Sequence, residues 1–148
     1  MMSNFSYFTT KEVRFHQREI GAFEEYKLMT YRKDETFMEL KLIGEKRALL
    51  VRVNGELDHH IASSLREAVD SKIRCTNAVN VIFDFSNVGF MDSSGIGVIM
   101  GRYKAVKTLG GCVIIFGQNT QIKRIVEMSG IDKIVKIADT YDDALNLI

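Results

Sequence analysis

Apolar and polar residues alternate over residues 38–43, so that every second position is apolar. This period of two is typical of a strand with one buried face. Residues 48–53 indicate a second strand, which follows the polar turn Gly44–Lys46. A connection this short joins antiparallel neighbours, so we predict a hairpin here. Asn54 and Gly55 are expected to end its second strand.

Strands and helices alternate after the hairpin. Residues 81–85 and 112–116 are apolar runs, as in buried parallel strands, and residues 134–137 indicate a short edge strand. Apolar residues at three- and four-residue steps predict helices that begin near Asp58, Asp92, Thr120 and Thr140. This order implies right-handed crossovers. We therefore predict an α/β fold: a mostly parallel five-stranded sheet with an antiparallel N-terminal edge hairpin and about four helices.

Residues 1–37 differ from the rest of the chain. They hold eight of its fourteen aromatic residues (nine Phe and five Tyr in all) and show no clear period. Some helix is expected between Lys11 and Met29. Three interpretations stay open: a flexible arm, an added element packed on the domain, or the product of a start codon placed before a true start at Met38. We divide the chain into an N-terminal extension, residues 1–37, and a domain, residues 38–148.

The segment Phe90–Gly97 opens the helix that follows the third strand. Asp92 or Ser93 is the expected N-cap, because its side-chain oxygen can accept a backbone N–H of the first turn. Glycines at 110 and 111 are expected to end the helix. Its apolar face is predicted to consist of Ile96, Ile99, Met100, Tyr103 and Val106.

The opposite face of this helix carries only small side chains: Ser94, Gly97, Gly101, Ala105 and Thr108. Each interior glycine costs about 1 kcal/mol of helix stability relative to alanine. Small residues allow another backbone to come close. Either a neighbouring helix of the same domain packs on this face, or the face is an exposed docking surface for a partner.

The composition limits the classes of function. The 148 residues suggest one domain, and 46% of them are hydrophobic. The formal net charge is only +1, so no basic field would attract nucleic acid or an anionic membrane. No apolar run approaches the roughly 20 residues of a membrane-spanning helix. Cys75 and Cys112 form no CxxC pair, and we expect a cytoplasmic protein that binds neither nucleic acid nor membrane.

The residues that could take part in catalysis or ligand binding match no catalytic motif. A nucleophile elbow needs a glycine two residues before its serine, and neither Ser93 nor Ser94 has one. The glycines of the helix have the wrong spacing for a dinucleotide fingerprint. His59 and His60 are adjacent, so their side chains are expected to point apart on a helix, and no third metal ligand accompanies them. We predict no catalytic residue, no cofactor and no metal site.

Two polar loops should lie side by side. Residues 56–60 and residues 87–94 each follow a strand of the predicted parallel sheet, and the carboxyl ends of parallel strands meet at one edge. We call these two loops together the rim. The rim would place carboxylates, histidines and serines beside a flat helix face, which is typical of a docking surface. For Asp58 and Ser94, helix capping is the alternative interpretation.

Both loops carry motifs that resemble a known family. The segment Met91–Lys104 resembles the phosphorylation-site segment of bacterial anti-sigma factor antagonists, which are single-domain STAS proteins. The segment Gly55–His60 resembles the stretch between the second strand and the first helix of that family. The resemblance covers about residues 38–148 and is close enough to suggest the members that act on the sporulation sigma-F system. It implies the STAS fold, with helices mainly on one side of the sheet.

The resemblance also implies a partner switch. The serine directly after Met-Asp is the phosphorylated one in the family, and that residue is Ser93 here. The unphosphorylated protein would bind an anti-sigma factor that is also a serine kinase, which frees the sigma factor. The kinase would then phosphorylate Ser93 with ATP, and a metal-dependent serine phosphatase would restore the binding form. The residues expected to contact the partner are Glu56, Asp58, His59, Asp92, Ser94, Ile96, Gly97, Gly101 and Arg102.

An alternative within the same fold stays open. The chain would then be a STAS module of another partner-switching or stress-response pathway, or a nucleotide-sensing STAS domain. A nucleotide at the start of the serine-bearing helix is physically possible, because helix N-termini attract phosphate groups. In either case the protein itself is not expected to be an enzyme.

Overall fold

The computed structural model of the protein describes residues 15–20, 23–33 and 36–148. The described residues form seven strands: β1 (Phe15–Ile20), β2 (Phe23–Lys33), β3 (Thr36–Ile43), β4 (Ala48–Leu57), β5 (Asn80–Met91), β6 (Val113–Phe116) and β7 (Lys136–Ala138). They also form four α-helices: α1 (His59–Cys75), α2 (Ser93–Lys107), α3 (Thr120–Ser129) and α4 (Tyr141–Asn146).

All of these strands belong to one sheet, in the order β1–β2–β3–β4–β5–β6–β7. Neighbours from β1 to β4 pair antiparallel, and neighbours from β4 to β7 pair parallel. The five strands and four helices predicted from residue 38 onward are confirmed. Strands β1 and β2 continue this sheet beyond β3, so the β3–β4 hairpin has a neighbour on each side and is not at the edge.

The expected helix between Lys11 and Met29 is wrong for the part of it that the structure describes. Residues 15–20 and 23–29 lie in β1 and β2, and the other positions of that range lie outside the described residues. The backbone of β2 pairs with β3, which would otherwise present a row of unpaired N–H and C=O groups. This pairing outweighs the weak helical pattern of the segment, as sheet context often does.

The prediction that β4 ends at Asn54 is also wrong, because the strand continues to Leu57. Gly55 has a φ of 109°, a conformation that favours glycine, and the pairing of β4 with β5 shifts register at this point. An added Cβ at Gly55 would collide with Oγ1 of Thr36 at the start of β3. The glycine therefore makes an irregularity inside the strand, and the strand still delivers Glu56 to the rim.

The helices lie mainly on one side of the sheet, as the resemblance implied. One buried cluster joins α1, α2 and α3 to the sheet, with members such as Leu40, Val51, Phe83, Leu65, Ile99 and Val126. A smaller cluster lies on the other face beneath α4, with members such as Leu50, Ile82, Ile114 and Ala144. Because α1, α2 and α3 each follow a parallel strand, their N-termini all lie at the same edge of the sheet.

Candidate functional site

The two loops of the rim are adjacent in the structure. In the parallel pairing of β4 with β5, Glu56 lies opposite Phe90, and Leu57 lies opposite Met91. The backbone N–H of Asp92 donates to the carbonyl oxygen of Leu57 at 3.3 Å. The starts of α1 and α2 are therefore held side by side at one edge of the sheet.

A third loop also lies at this edge, although the predicted rim did not include it. Asn119 precedes α3, and its side-chain Nδ2 donates to the carbonyl oxygen of Val88 in β5 at 3.1 Å. Its Oδ1 accepts the backbone N–H of Ile122 at 2.9 Å. One amide thus caps α3 and ties it to the end of β5. The available signal was a glycine, Gly117, followed closely by a capping residue after an apolar run.

Both aspartates at the helix starts of the rim act as N-caps. Oδ1 of Asp58 accepts the backbone N–H groups of His60 at 3.0 Å and Ile61 at 3.1 Å. Oδ1 of Asp92 accepts the backbone N–H of Ser94 at 2.8 Å. These bonds satisfy N–H groups that have no partner within the helix, and they place negative charge at its positive end. The capping interpretation of Asp58 is therefore confirmed, and Asp92 is the cap of α2.

Ser93 is the first residue of α2 and is exposed. Its hydroxyl has no hydrogen-bond partner among the residues that the structure describes. Ser94 is half-buried, and its backbone N–H is bonded to Asp92. Of the two serines, Ser93 is therefore the one that a second protein can reach more easily.

Gly95 fixes how closely α2 approaches the sheet. The residue is buried, and an added Cβ would collide with the side chain of Met91 and lie 3.2 Å from Cδ2 of Leu57. A residue without a side chain allows this approach, which sets the position of Ser93 over the ends of β4 and β5. The sequence reasoning did not identify this role, because spacing alone does not show which glycine of a helix is packed.

Gly97 and Gly101, unlike Gly95, have no neighbouring atoms packed against them in the described part of the chain. Gly97 is exposed and Gly101 is half-buried. An added Cβ at either position would meet no atom of the described residues within 4 Å. The alternative that a neighbouring helix of the same domain packs tightly on these two glycines therefore does not hold for the described part of the chain.

The buried face of α2 is rotated from the predicted one. Its buried positions are Gly95, Val98, Ile99, Arg102 and Val106. Ile96, Met100 and Tyr103 were expected on the buried apolar face, but they are half-buried and pack against the core from its border. The candidate contact residue Ile96 is therefore only partly available to a partner.

Arg102, one of the residues expected to contact a partner, lies inside the domain between α2 and α1. Its side chain is 8% exposed, and its Nε lies 3.0 Å from Oδ1 of Asp70. Its Nη1 is buried without a hydrogen-bond partner in the described part of the chain. Burial lowers the pKa of Arg102, an effect that the charge of Asp70 opposes and that of Arg66 increases. The physical reason is helical spacing, which places residue 102 on the same face as Val98.

His59 and His60 are both exposed at the start of α1. Their ring centroids lie 3.9 Å apart with an interplanar angle of 38°, so the expectation that they point apart is wrong. Side chains in the first helical turn have no preceding turn beside them, which leaves room for the two rings to meet. Within the described residues, no group of three or more His, Cys, Asp or Glu side chains is placed to hold a metal ion.

A separate group of charged side chains lies away from the rim, on the face of the sheet that α4 partly covers. Nε of Arg52 donates to Oδ2 of Asp84 at 2.8 Å, and Glu39 lies 3.6 Å from Nη1 of Arg52. The hydrogen bond with Asp84 is the main cause that raises the pKa of Arg52, against the opposing effect of burial. Oδ1 of Asp84 also accepts the backbone N–H of Ser86 at 2.9 Å. These contacts have a structural role, because they join β3, β4 and β5.

None of the helices in the described part of the chain is long and apolar enough to cross a membrane.

Comparison with known proteins gives a consistent result. Residues 39–144 match the STAS domain family. An anti-sigma F factor antagonist of Paenibacillus polymyxa is 36% identical over 108 residues, which cover 73% of this chain and 92% of that relative. An anti-sigma-B factor antagonist of Listeria monocytogenes is 28% identical over 85 residues, which cover 57% of this chain and 74% of that relative.

Solved structures agree with this match. The Bacillus cell fate determinant SpoIIAA in its phosphorylated form is 25% identical with a TM-score of 0.60, covering 74% of this chain and 97% of its own. SpoIIAA in its unphosphorylated form is 23% identical with a TM-score of 0.59, covering 71% of this chain and 90% of its own. The family match extends over most of the chain, and the order of the strands and helices agrees with it. The chain therefore belongs to the STAS domain family.

Proposed function

We propose that this protein is an anti-sigma factor antagonist whose binding form is the unphosphorylated one. In this form it binds an anti-sigma factor, and the sigma factor is released. The observation that carries the proposal is the exposed Ser93 at the start of α2, beside the open surface at Gly97. The relatives named as antagonists of anti-sigma F and anti-sigma B factors support it.

Ser93 is the proposed site of phosphorylation. Its hydroxyl is exposed and forms no hydrogen bond within the described residues, so a kinase can approach it without breaking the fold. A phosphate adds about −1.5 to −2 charge at neutral pH. At a helix N-terminus this charge favours the helix by about 0.3–1 kcal/mol. The domain should therefore tolerate the phosphate, and SpoIIAA, which has been solved in both forms, supports this expectation.

The docking surface should not tolerate the phosphate. Asp92 precedes Ser93, and Glu56 is exposed on the neighbouring strand end. A dianion beside these carboxylates makes this part of the rim strongly negative. The phosphate also occupies space in front of Gly97, one helical turn further along α2. The volume of the phosphate, and the cost of burying a dianion beside these carboxylates in an interface, would release the partner with little change in the fold.

The proposed partner contacts differ in how they would support binding. Glu56, His59, Gly97 and the half-buried Gly101 present surface directly, whereas Asp58 and Asp92 fix the backbone on which this surface is built. Ser94 and Ile96 are half-buried at its border. Arg102 would support binding indirectly, because its ion pair with Asp70 holds α2 against α1.

The proposed cycle needs two further proteins. The anti-sigma factor would itself be the serine kinase that transfers phosphate from ATP to Ser93, and a metal-dependent serine phosphatase would remove it. The protein would be the substrate in both steps, with no catalytic residue or cofactor of its own, and it would act in the cytoplasm. We also propose that residues 38–148 form the functional domain, with residues 1–37 as an extension.

The sporulation sigma-F pathway is the preferred assignment. The relative named for the anti-sigma F factor is 36% identical, compared with 28% for the relative named for the anti-sigma-B factor. A stress-response pathway of the sigma-B type is the second candidate. A nucleotide-sensing role is the third, since the N-terminus of α2 is open to a phosphate group.

Isothermal titration calorimetry would test the proposal. The purified chain is titrated with the anti-sigma F factor of Paenibacillus polymyxa and, separately, with the anti-sigma-B factor of Listeria monocytogenes. We expect binding to the first, weaker or no binding to the second, and loss of binding after incubation with ATP and the partner. Mass spectrometry of the incubated protein should place the phosphate on Ser93. Absence of binding to both partners would contradict the proposed function.

A further inference from the structure

An aromatic side chain on the rim has no role in the site described so far. Phe90 is 40% exposed and lies opposite Glu56 in the pairing of β5 with β4. The next residue, Met91, is 1% exposed and belongs to the core beneath α1 and α2. Successive side chains of a strand point to opposite faces. Phe90 therefore points away from these helices, over the other side of the sheet edge.

The position of Phe90 separates it from the other exposed apolar side chains. Among the described residues, the large hydrophobic side chains with comparable exposure are Leu109, Met128, Ile134, Ile137 and Leu147. Leu109 follows the end of α2, and Met128 lies near the end of α3, so both lie near the amino end of the sheet. Single exposed apolar residues are common and need no explanation in themselves. Phe90 differs because it lies three residues before Ser93, within about 10 Å along the backbone.

We propose that Phe90 is an apolar anchor of the docking surface and enters an apolar pocket of the anti-sigma factor. This inference rests on the proposed function and adds a contact on the other side of the sheet edge from Ser93 and Gly97. Large aromatic side chains contribute most to the energy of protein interfaces when they are surrounded by contacts that exclude water. Gly89 beside Phe90 has open space around it, which leaves room for the walls of such a pocket.

The neighbouring charges indicate the border of that pocket. Glu56 is exposed next to Phe90, and Asp92 follows two residues later. A matching partner surface would have an apolar centre with basic side chains around it, because complementary charges favour the correct partner. The surface would then extend across both sides of the sheet edge, with Ser93 between Phe90 and Gly97. A phosphate on Ser93 would thus lie near the middle of the interface.

Titration of single variants with the anti-sigma F factor of Paenibacillus polymyxa would test this inference. Phe90→Ala should raise Kd by about 30-fold, the factor expected for loss of a major interface contact. Phe90→Leu, which keeps an apolar side chain, should have a smaller effect. The matched control is Ile137→Ala, because Ile137 is also 40% exposed but lies on the edge strand β7. This control should leave Kd within about twofold of the unaltered chain.

Thermal unfolding of each variant shows whether a loss of affinity comes from the lost contact or from a loss of the fold. If Phe90→Ala unfolds, the folded Phe90→Leu variant carries the test, and unchanged affinity of that variant would overturn the inference. An equal loss of affinity in Ile137→Ala would overturn it as well. Absence of binding by the unaltered chain would overturn the proposed function together with this inference. If the unaltered chain binds and Phe90→Ala binds with the same affinity, only the anchor role of Phe90 is overturned.

Discussion

Nε of Arg102 on α2 lies 3.0 Å from Oδ1 of Asp70 on α1, and this ion pair links the two helices whose N-termini form the rim. The arginine side chain is 8% exposed and that of the aspartate is 31% exposed. The two partners therefore differ in what their removal leaves behind. Loss of the aspartate leaves a buried charge without a partner, whereas loss of the arginine leaves a carboxylate that water can reach.

We expect Asp70→Ala to destabilise the domain more than Arg102→Met. An uncompensated buried charge is costly, and water reaching the site reduces the loss to about 2 kcal/mol. Methionine in place of Arg102 keeps much of the side-chain volume and removes the charge, so its cost should stay below about 1.5 kcal/mol. Urea unfolding of both variants measures the difference. Equal losses of stability would show that the unpaired buried charge of Arg102 is not what destabilises Asp70→Ala.

Gly95→Ala should destabilise the domain by about 1–3 kcal/mol, since its Cβ would collide with the side chain of Met91. The relevant measurement is the free energy of unfolding in urea. Gly97→Ala is the matched control in the same helix, because a Cβ there meets no described atom within 4 Å. That control should stabilise the protein by about 0.4–1 kcal/mol. The reverse order of stabilities would show that the packing of α2 differs from the structure.

Gly97→Leu should leave the fold intact and weaken binding of the anti-sigma factor. The helix gains from the loss of a glycine, while the larger side chain blocks close approach of a partner. Circular dichroism checks the fold, and calorimetry with the anti-sigma F factor checks binding. If this variant binds as well as the unaltered chain, the open surface at Gly97 is not part of the interface.

Ser93→Ala should bind the partner and accept no phosphate. Ser93→Asp should fold normally and bind weakly, since it adds a negative charge to the rim, although a single charge reproduces a phosphate only in part. Phosphate incorporation with ATP and the anti-sigma factor, followed by affinity measurement, tests both variants. Continued phosphorylation of Ser93→Ala at the normal rate, or full affinity of the phosphorylated chain, would contradict the switch.

A chain that starts at Met38 should still unfold cooperatively. Every described member of the two buried clusters lies at or after this residue. The truncated chain should have a lower Tm, because β3 loses its pairing with β2, and Thr36 no longer packs against Gly55. Scanning calorimetry of both chains measures this change. Loss of the cooperative transition would show that the first 37 residues belong to the core.

The sequence indicated the fold well because its strongest signals are local. The alternation from Met38 predicted β3, and the capping chemistry of Asp92 predicted where α2 begins. The rim followed from topology, since parallel strands place their carboxyl ends at one edge. These inferences needed no knowledge of contacts between distant residues.

The parts that were missed depend on such contacts. Periodicity gave α2 an apolar face but not its exact orientation, so the inward position of Arg102 was not foreseen. The sequence does not distinguish Gly95 from Gly97, because both are glycines at the start of one helix. Only the structure shows that a side chain at Gly95 would collide with Met91, whereas Gly97 has open space. Phe90 was overlooked because the predicted strand covered only residues 81–85, whereas β5 continues to Met91.

The side-chain hydrogen bonds of Asp58, Asp92 and Asn119 hold each loop of this sheet edge in place. A surface built on such anchored loops is preorganised, and association then costs little conformational entropy. Binding would resemble the docking of rigid bodies, with a rate that depends on ionic strength through the carboxylates of the rim. Control by phosphate would then come from the charge and volume added at Ser93 alone, because the backbone that the partner meets would be the same before and after modification.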